Sequence, residues 1–541
     1  MRIENFSLPE ANILAKDYKH SFENVQDMFN YDYHNQEVYQ KRLEELYTRK
    51  FQRDALANYL FTYNRKFNCS HRTVEYIEKI KNKESVVVVG GQQAGILTGP
   101  LYTIHKCISI LKFAKEKESN LGIPVIPIFW IAGEDHDYDE INHVYIKKND
   151  SAEKLILQAD DPVKTSASLM KWDKEQAVKW SDGVFQQFGE TEFTKDIVKK
   201  VHHIFDASDT IVDSFAHLLT YLFGDYGLVL LDSGDPNFKQ LQSEYLVNLI
   251  EKNEEVDRRF VEGLKTLQNK NYPRPIEYQE NNAHLFLYIN RERVLLFRDG
   301  TGGFRSKEGD VRYTKDQLME MAKEKPHLFS NNVVTRPLMQ EWVLPTLSFI
   351  AGSGEIAYWS ALKPIFNEFS LKMPPLIPRL SLTIVSKQTQ KQLDDTGLEA
   401  KHVIKSGTEV EKKAWYEAHK PYEIEPLITD SKQQMAKIHK ELSGLAEKID
   451  KSLVQLSTIN LNRILHEVDY LHHKMEKKMK KRFKEPLEKF DAVALELLPF
   501  HKLQERTWNI FYYMNDYGFD LIHDLMNESL PFDDQHKIVY I

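Results

Sequence analysis

Up to Leu380 the chain is punctuated by five short, uninterrupted apolar runs. They are VVVVGG (Val86 to Gly91), PVIPIFWIAG (Pro124 to Gly133), GLVLLDSG (Gly227 to Gly234), TLSFIAGSG (Thr346 to Gly354) and PPLIPRL (Pro374 to Leu380). Continuous rather than alternating apolarity marks strands buried on both faces. Between the runs, Thr98 to Glu116, Asn237 to Lys252 and Gly354 to Ser370 carry apolar positions at helical spacing. Buried strands alternating with helices predict an α/β fold with a doubly wound parallel sheet, whose ligands bind at the C-terminal ends of the strands. Residues 1 to 82 read as helices, with Leu43, Leu46, Tyr47, Phe51, Leu56, Tyr59 and Leu60 near the helical period, a prelude packed on something larger. Two intervals, 141 to 175 and 282 to 312, read as β-hairpins inserted over the active edge of the sheet.

From about residue 385 no further buried strand is evident. Residues 431 to 484 carry Ile438, Leu442, Leu445 and Ile449, then Ile464, Val468, Leu471, Met475 and Met479, spaced by threes and fours among Lys and Glu. The register breaks between Lys451 and Asn460, which predicts two helices folded back as an antiparallel hairpin. The expected organisation is a core over 1–384 and a C-terminal helical domain over 385–541, with its coiled coil at about 431–484.

Composition narrows the classes. With 541 residues, 42% hydrophobic and 28% charged, the chain reads as folded and soluble, too long for one small core. A net charge of −8 supplies no global field toward nucleic acid or anionic lipid. Neither an export signal nor a membrane span is expected from the sequence. Two cysteines, Cys69 and Cys107, without a CxxC, predict no disulfide framework and no Cys-rich zinc site, and fit a reducing cytoplasm.

The candidate chemistry lies where the apolar runs end. After the first, GGQQAGILTGPLYTIHK places Gly90, Gly91, Gly95 and Gly99 with Gln92, Gln93 and Thr98 before a helix start, followed by His105 and Lys106. Such a turn either bares backbone N–H groups to a phosphate or carboxylate or serves tight strand-to-helix packing. The second run ends in AGEDHDYDE, which brings Glu134, Asp135 and His136 to the expected ligand edge as a hard-cation site, a sugar-hydroxyl binder or a general base. Like charges this close should raise one carboxyl pKa. The third delivers Asp232 and Ser233, with Asp235 as a helix cap. FSNNVVTRPLMQEW adds Asn332 and Arg336, AGSGEIAYW adds Glu355, and Arg379 closes the last strand. Near the C-terminus, Arg506, Trp508, Asn509 and Tyr512 form either core or an aromatic shelf for a nucleotide base, a possible second nucleotide site.

Together GGQQAGILTGPLYTIHK, PVIPIFWIAGEDHDYDEIN, LVLLDSGDP, SNNVVTRPLMQE and QERTWNIFYYMN resemble, in order and essentially end to end, the bacillithiol biosynthesis cysteine-adding enzyme family. The resemblance implies a Rossmann-like core like that of class I nucleotidyltransferases, with two connecting insertions and a coiled coil implicated in homodimerisation. It also implies a cytoplasmic ligase that joins the carboxyl of cysteine to the amine of glucosaminyl-malate. ATP and Mg²⁺ are the expected activators, and no zinc is expected. The Gly90 to His105 loop would cradle phosphate or carboxylate. Glu134 to Asp137 would take the amine proton or bind sugar hydroxyls, and Asn332 or Arg336 would steady transition-state charge. The alternatives are a nucleotidyltransferase or hydrolase acting on another sugar, and a coiled-coil scaffold without activity.

Overall fold

The computed structural model describes residues 1–148, 150–158 and 165–541. They divide into two compact units, Met1–Ser386 together with Lys502–Ile541, and Lys387–His501.

All five apolar runs form strands of one sheet in the first unit: β1 (Val86–Gln92), β2 (Val125–Ile131), β3 (Val229–Asp232), β4 (Thr346–Ala351) and β5 (Leu376–Pro378). Every adjacent pair is parallel, in the spatial order β5-β4-β1-β2-β3. The order therefore reverses between β1 and β4, and the crevice outside their C-terminal ends is the topological switch point. The helix α1 (Leu101–Leu121) follows β1 and packs on β1 and β2.

The N-terminal helices pack on this sheet as expected. The Asn64 side chain mimics a neighbouring strand for the edge strand β3, accepting from the Leu230 N–H (2.9 Å) and donating to the Leu230 carbonyl (2.8 Å). This covers an edge that would otherwise expose its hydrogen-bonding groups.

Two expectations are corrected here. Residues 1 to 82 are not all helical, because Arg2–Phe6 is a strand, and a buried strand does exist beyond residue 385, at His536–Tyr540. These two pair antiparallel, and His536–Tyr540 runs parallel to Leu382–Val385, closing a three-stranded sheet. That pairing draws Lys502–Ile541 into the first unit, whereas the expected C-terminal domain ran from 385 to 541.

The first insertion is a hairpin of His143–Lys148 and Ser151–Ile156. Residues 149 and 159–164 of the interval read as 141 to 175 lie outside the described residues. The second is larger than a hairpin: five antiparallel strands, with Phe329–Asn331 pairing back onto Asn282–Ile289.

In the second unit, Ile424–Ile449 and Leu453–Arg482 form the antiparallel helical hairpin. Its turn falls at Asp450–Ser452, and His439 Nε2 meets Asn460 Oδ1 at 3.0 Å across the seam. The direction of the apolar stripe differs from expectation. Ile438, Leu442, Leu445 and Ile449 point outward, 65%, 60%, 58% and 70% exposed, and Ile464 and Leu471 are exposed with them. The less exposed positions are Ile428, Ala436, His439, Ser443 and Ala446 on the first helix and Val468, Met475 and Met479 on the second. No helix among the described residues is long and apolar enough to cross a membrane.

Candidate active site at the strand ends

Two clusters occupy the C-terminal edge of the sheet. The first sits at the switch point. Lys106, on α1, is buried, and its ammonium donates to the Gly91 carbonyl (2.6 Å), to Glu355 Oε2 (2.6 Å) and more weakly to Gln92 Oε1 (3.4 Å). Glu355 begins the helix Ser353–Trp359 after β4, and the same Oε2 accepts the Gly352 N–H at 2.7 Å. One ion pair therefore ties together the two loops that flank the crevice. Burial pushes the Lys106 ammonium down, Glu355 opposes this, and the charges of Arg379 and Arg336 add to the downward push. Arg336 is held by Gln340 Oε1 (3.0 Å) and the Tyr358 hydroxyl (3.2 Å). Glu355 balances Lys106, while Arg336 is held by neutral partners, so the crevice keeps a positive charge that favours an anion.

The loop between Gly91 and α1 is tightly constrained. A Cβ on Gly91 would stand 2.7 Å from the Trp130 carbonyl oxygen, and one on Gly95 would stand 2.7 Å from the Gly99 Cα. Leu97, Thr98 and Gly99 take φ values of 50°, 72° and 69°, a left-handed run that costs two non-glycine residues energy. Asn509 holds it in place, donating to the carbonyls of Leu97 and Gly99. The Thr98 hydroxyl is buried with no partner among the described residues.

The second cluster lies over β2 and β3. Glu134 is 5% exposed, and its Oε2 accepts from the Ser330 hydroxyl (2.7 Å) and the Asn331 N–H (3.2 Å). Asp135 accepts from Gln93 Nε2 at 2.8 Å. The Arg293 guanidinium comes down from the inserted sheet, donating to Ser330 Oγ (2.9 Å), to the Asn331 carbonyl (2.8 Å) and to His136 Nδ1 (3.0 Å). A guanidinium only donates, so this contact assigns the neutral His136 proton to Nε2. Asp232 accepts from Ser168 Oγ (2.7 Å) and the Gly234 N–H (2.9 Å), and burial pushes its carboxyl up to about 7. Within this cluster Asp232, on β3, is a raised carboxyl, with burial as the main cause.

A model of the N-terminal Rossmann-like domain of bacillithiol biosynthesis BshC matches residues 1–380, and one of the C-terminal coiled-coil domain matches residues 382–541. The chain belongs to the BshC family. Its relatives include proteins carrying the name "Putative cysteine ligase BshC" from Geobacillus thermodenitrificans (strain NG80-2), 41% identical, and Geobacillus sp. (strain WCH70), 40% identical, each over 542 residues and all of both chains. One from Bacillus cereus (strain B4264) is 37% identical over 539 residues, again covering all of both chains. Among solved structures, one described as a "putative arginyl t-RNA synthetase" from Campylobacter jejuni is 12% identical, covers 88% of this chain and 98% of that one, and has a TM-score of 0.23, too low to support any comparison of fold.

Within this BshC-family chain, the structure brings Gly91, Gln92, Lys106, Glu355 and Arg336 to the switch point and Gln93, Glu134, Asp135, His136 and Asp232 to the second cluster. Other expected positions serve the framework. Gly90 packs against Ile110 and Ile350. Ser233 bonds the Ile131 carbonyl. Asn332 accepts from the N–H groups of Val334 and Thr335, capping a turn, and its amide meets His284 at 3.2 Å. His105, expected near an anion, is fully buried instead, with Nδ1 3.0 Å from Glu505 Oε2, because its face of α1 points toward the returning C-terminal segment. Arg379 lies against the same carboxylate, and together they hold Glu505 well below the usual carboxylate range despite its burial.

Of the C-terminal aromatic group, Trp508 and Asn509 are buried, Arg506 is exposed, and Lys147 Nζ donates to the Tyr512 hydroxyl at 2.7 Å while lying over both aromatic rings. Stacking here is done by a lysine of the first insertion. Sequence reasoning missed Arg293, Lys239 and Glu505. Lys239 alone had a signal, its place in the helix opening after β3.

Proposed function

We propose that this protein is a ligase of bacillithiol biosynthesis that joins the cysteine carboxyl to the amine of glucosaminyl-malate, with ATP as the activator. The observation that carries the reading is the family match over the full length, seated on a sheet whose switch point gathers Lys106 and Arg336. A free carboxylate is a poor acyl donor. Its attack on the α-phosphorus of ATP forms a mixed anhydride and releases pyrophosphate. The amine then attacks the acyl carbon and AMP leaves, while the amine's proton passes to a base. Cations at the crevice suit the phosphates and the cysteine carboxylate. Glu134, Asp135 and His136 lie one strand away, suited to take the proton. Among the described residues no three His, Cys, Asp or Glu are arranged to hold a metal ion, so magnesium would arrive on the nucleotide's phosphates.

The chain also carries a feature suited to a homodimer. The outward stripe of Ile438, Leu442, Leu445 and Ile449 gives one helix face the apolar seam that a second copy would cover. A cytoplasmic setting, which the scarcity of cysteines suits, completes the reading.

The test is mass-spectrometric detection of bacillithiol from purified protein with cysteine and glucosaminyl-malate, with and without ATP and magnesium. ATP-dependent product that disappears in Lys106→Met supports the reading. Product without ATP, or none from pure components, removes the proposed activation step.

A further inference from the structure

The short helix Pro236–Gln240 opens at the C-terminal end of β3, and its Lys239 side chain turns into the second cluster. Lys239 is 2% exposed, and its ammonium has neither a hydrogen bond nor an ion pair among the described residues. Nζ lies 4.5 Å from the centroid of the Tyr288 ring, a cation–π contact that leaves its N–H donors without oxygen acceptors. The stem of Lys239 is buried while its ammonium keeps donors open to an incoming oxygen acceptor.

Its neighbours leave those donors unmet. Glu134 attracts it, but Oε2 of that carboxylate already serves Ser330 and the Asn331 N–H. Asp232 is occupied by Ser168 and Gly234. The Asn331 amide donates to Gln242 Oε1 at 3.2 Å, yet Gln242 Nε2 is buried with no partner, as is Asn331 Oδ1. Lys239 and Gln242 are linked through the backbone, the Gln242 N–H donating to the Lys239 carbonyl at 3.1 Å. Lys239 and Gln242 thus present unmet donors at this corner of the sheet edge, beside the unmet Tyr288 hydroxyl, and an oxygen-rich acceptor group would serve them.

We propose that Lys239, assisted by Gln242, binds a carboxylate of the malate-bearing acceptor, making this corner the acceptor subsite; the assignment rests on the ligase reading above. The switch point would then hold nucleotide and cysteine, and the two substrates would meet across the end of β2, where Glu134 to His136 lie. Burial pushes the Lys239 ammonium down to about 8, against the pull of Glu134, Asp232 and Asp235 and with the push of Arg293. The ammonium is charged below that pH and loses its hold on a carboxylate above it.

The experiment measures binding of L-malate alone, by calorimetry or ligand-observed NMR, to the wild-type protein, Lys239→Arg and Lys239→Met. Malate carries no amine, so over pH about 6.5 to 9.5 its own charge is constant. The wild type should bind it and weaken above about 8, and Lys239→Arg should keep binding there. Lys239→Met should weaken it on the order of 10- to 100-fold, the loss of a charged hydrogen bond. In turnover, the same variant should raise KM for glucosaminyl-malate by a similar factor and leave KM for cysteine within about threefold. Malate not bound by the wild type, bound equally by a folded Lys239→Met, or bound without change through pH 8 overturns the proposal, since water would then serve these donors. If Lys239→Met does not fold, the wild-type titration and Lys239→Arg decide. Lys239-dependent malate binding without any ligation would sink the ligase reading and leave the carboxylate site standing. Ligation with an unaltered acceptor KM in the variant would do the reverse.

Discussion

The Asn509 side-chain amide donates to the Leu97 carbonyl at 2.6 Å, and its second N–H reaches the Gly99 carbonyl at 2.7 Å. One amide from the C-terminal segment thus pins both ends of the left-handed run after β1, while its Oδ1 accepts the Phe511 N–H (2.9 Å) at the start of the next helix.

Asn509→Asp keeps the helix cap and removes both donors, placing a carboxylate against two carbonyl oxygens. The buried bonds lost are worth about 1–3 kcal/mol each. The expected outcome is faster hydrogen exchange from Leu97 to Thr103 and a KM for ATP raised roughly tenfold. Exchange at wild-type rates would show that the loop holds its shape alone.

Arg293→Leu should release His136 from its assigned tautomer. ¹⁵N shifts of the imidazole report this directly. The wild type should show an unprotonated Nδ1, and the variant a mixture, with kcat lower by about 10- to 100-fold if His136 moves a proton in the reaction.

His536 gives a pH prediction. Its ring lies between Ser381 Oγ (2.9 Å) and Thr383 Oγ1 (2.8 Å), and burial pushes it down to about 4. The unfolded chain binds this proton below about 6.5 and the folded chain does not, so stability is fully present above 6.5 and lost as pH falls toward 4. The effect is up to about 3 kcal/mol. Asp232, raised to about 7, has the opposite sign: the folded state holds the proton more tightly, so stability falls as pH rises from about 4 to 7. Chemical denaturation across this range should show His536→Gln removing the acid loss and Asp232→Asn removing the opposing slope.

Leu442→Glu with Leu445→Glu alters only exposed positions of the hairpin, so the fold should survive. Sedimentation should show a dimer dissociating to monomer. A wild-type monomer would leave the stripe without the proposed role.

The core strands were legible because burial on both faces writes itself into the sequence as unbroken apolarity, and their polar ends follow from topology. The short outer strands were not: RIENF and HKIVY lie at opposite ends of the chain, and neither shows its partner locally. Spacing by threes and fours located the helical hairpin but could not say which face its partner helix would cover, so Leu442 reads the same inside or outside. Arg293 stayed hidden because one charged residue in an ordinary stretch becomes chemical only when the fold surrounds it, and Lys239 offered no more than its place in the helix after β3. His105 misled for the related reason that its neighbour Lys106 points to another face of α1.

The strand at His536–Tyr540 and the residues Glu505 and Asn509 all come after the helical insertion Lys387–His501 in the chain. During synthesis, the loop after β1 therefore emerges more than four hundred residues before the amide that fixes it. The nascent core must wait with Leu382–Val385 unpaired until translation has passed the insertion. Clipping the polypeptide after His501 would leave a core whose five-stranded sheet is complete in sequence but whose site is unfinished.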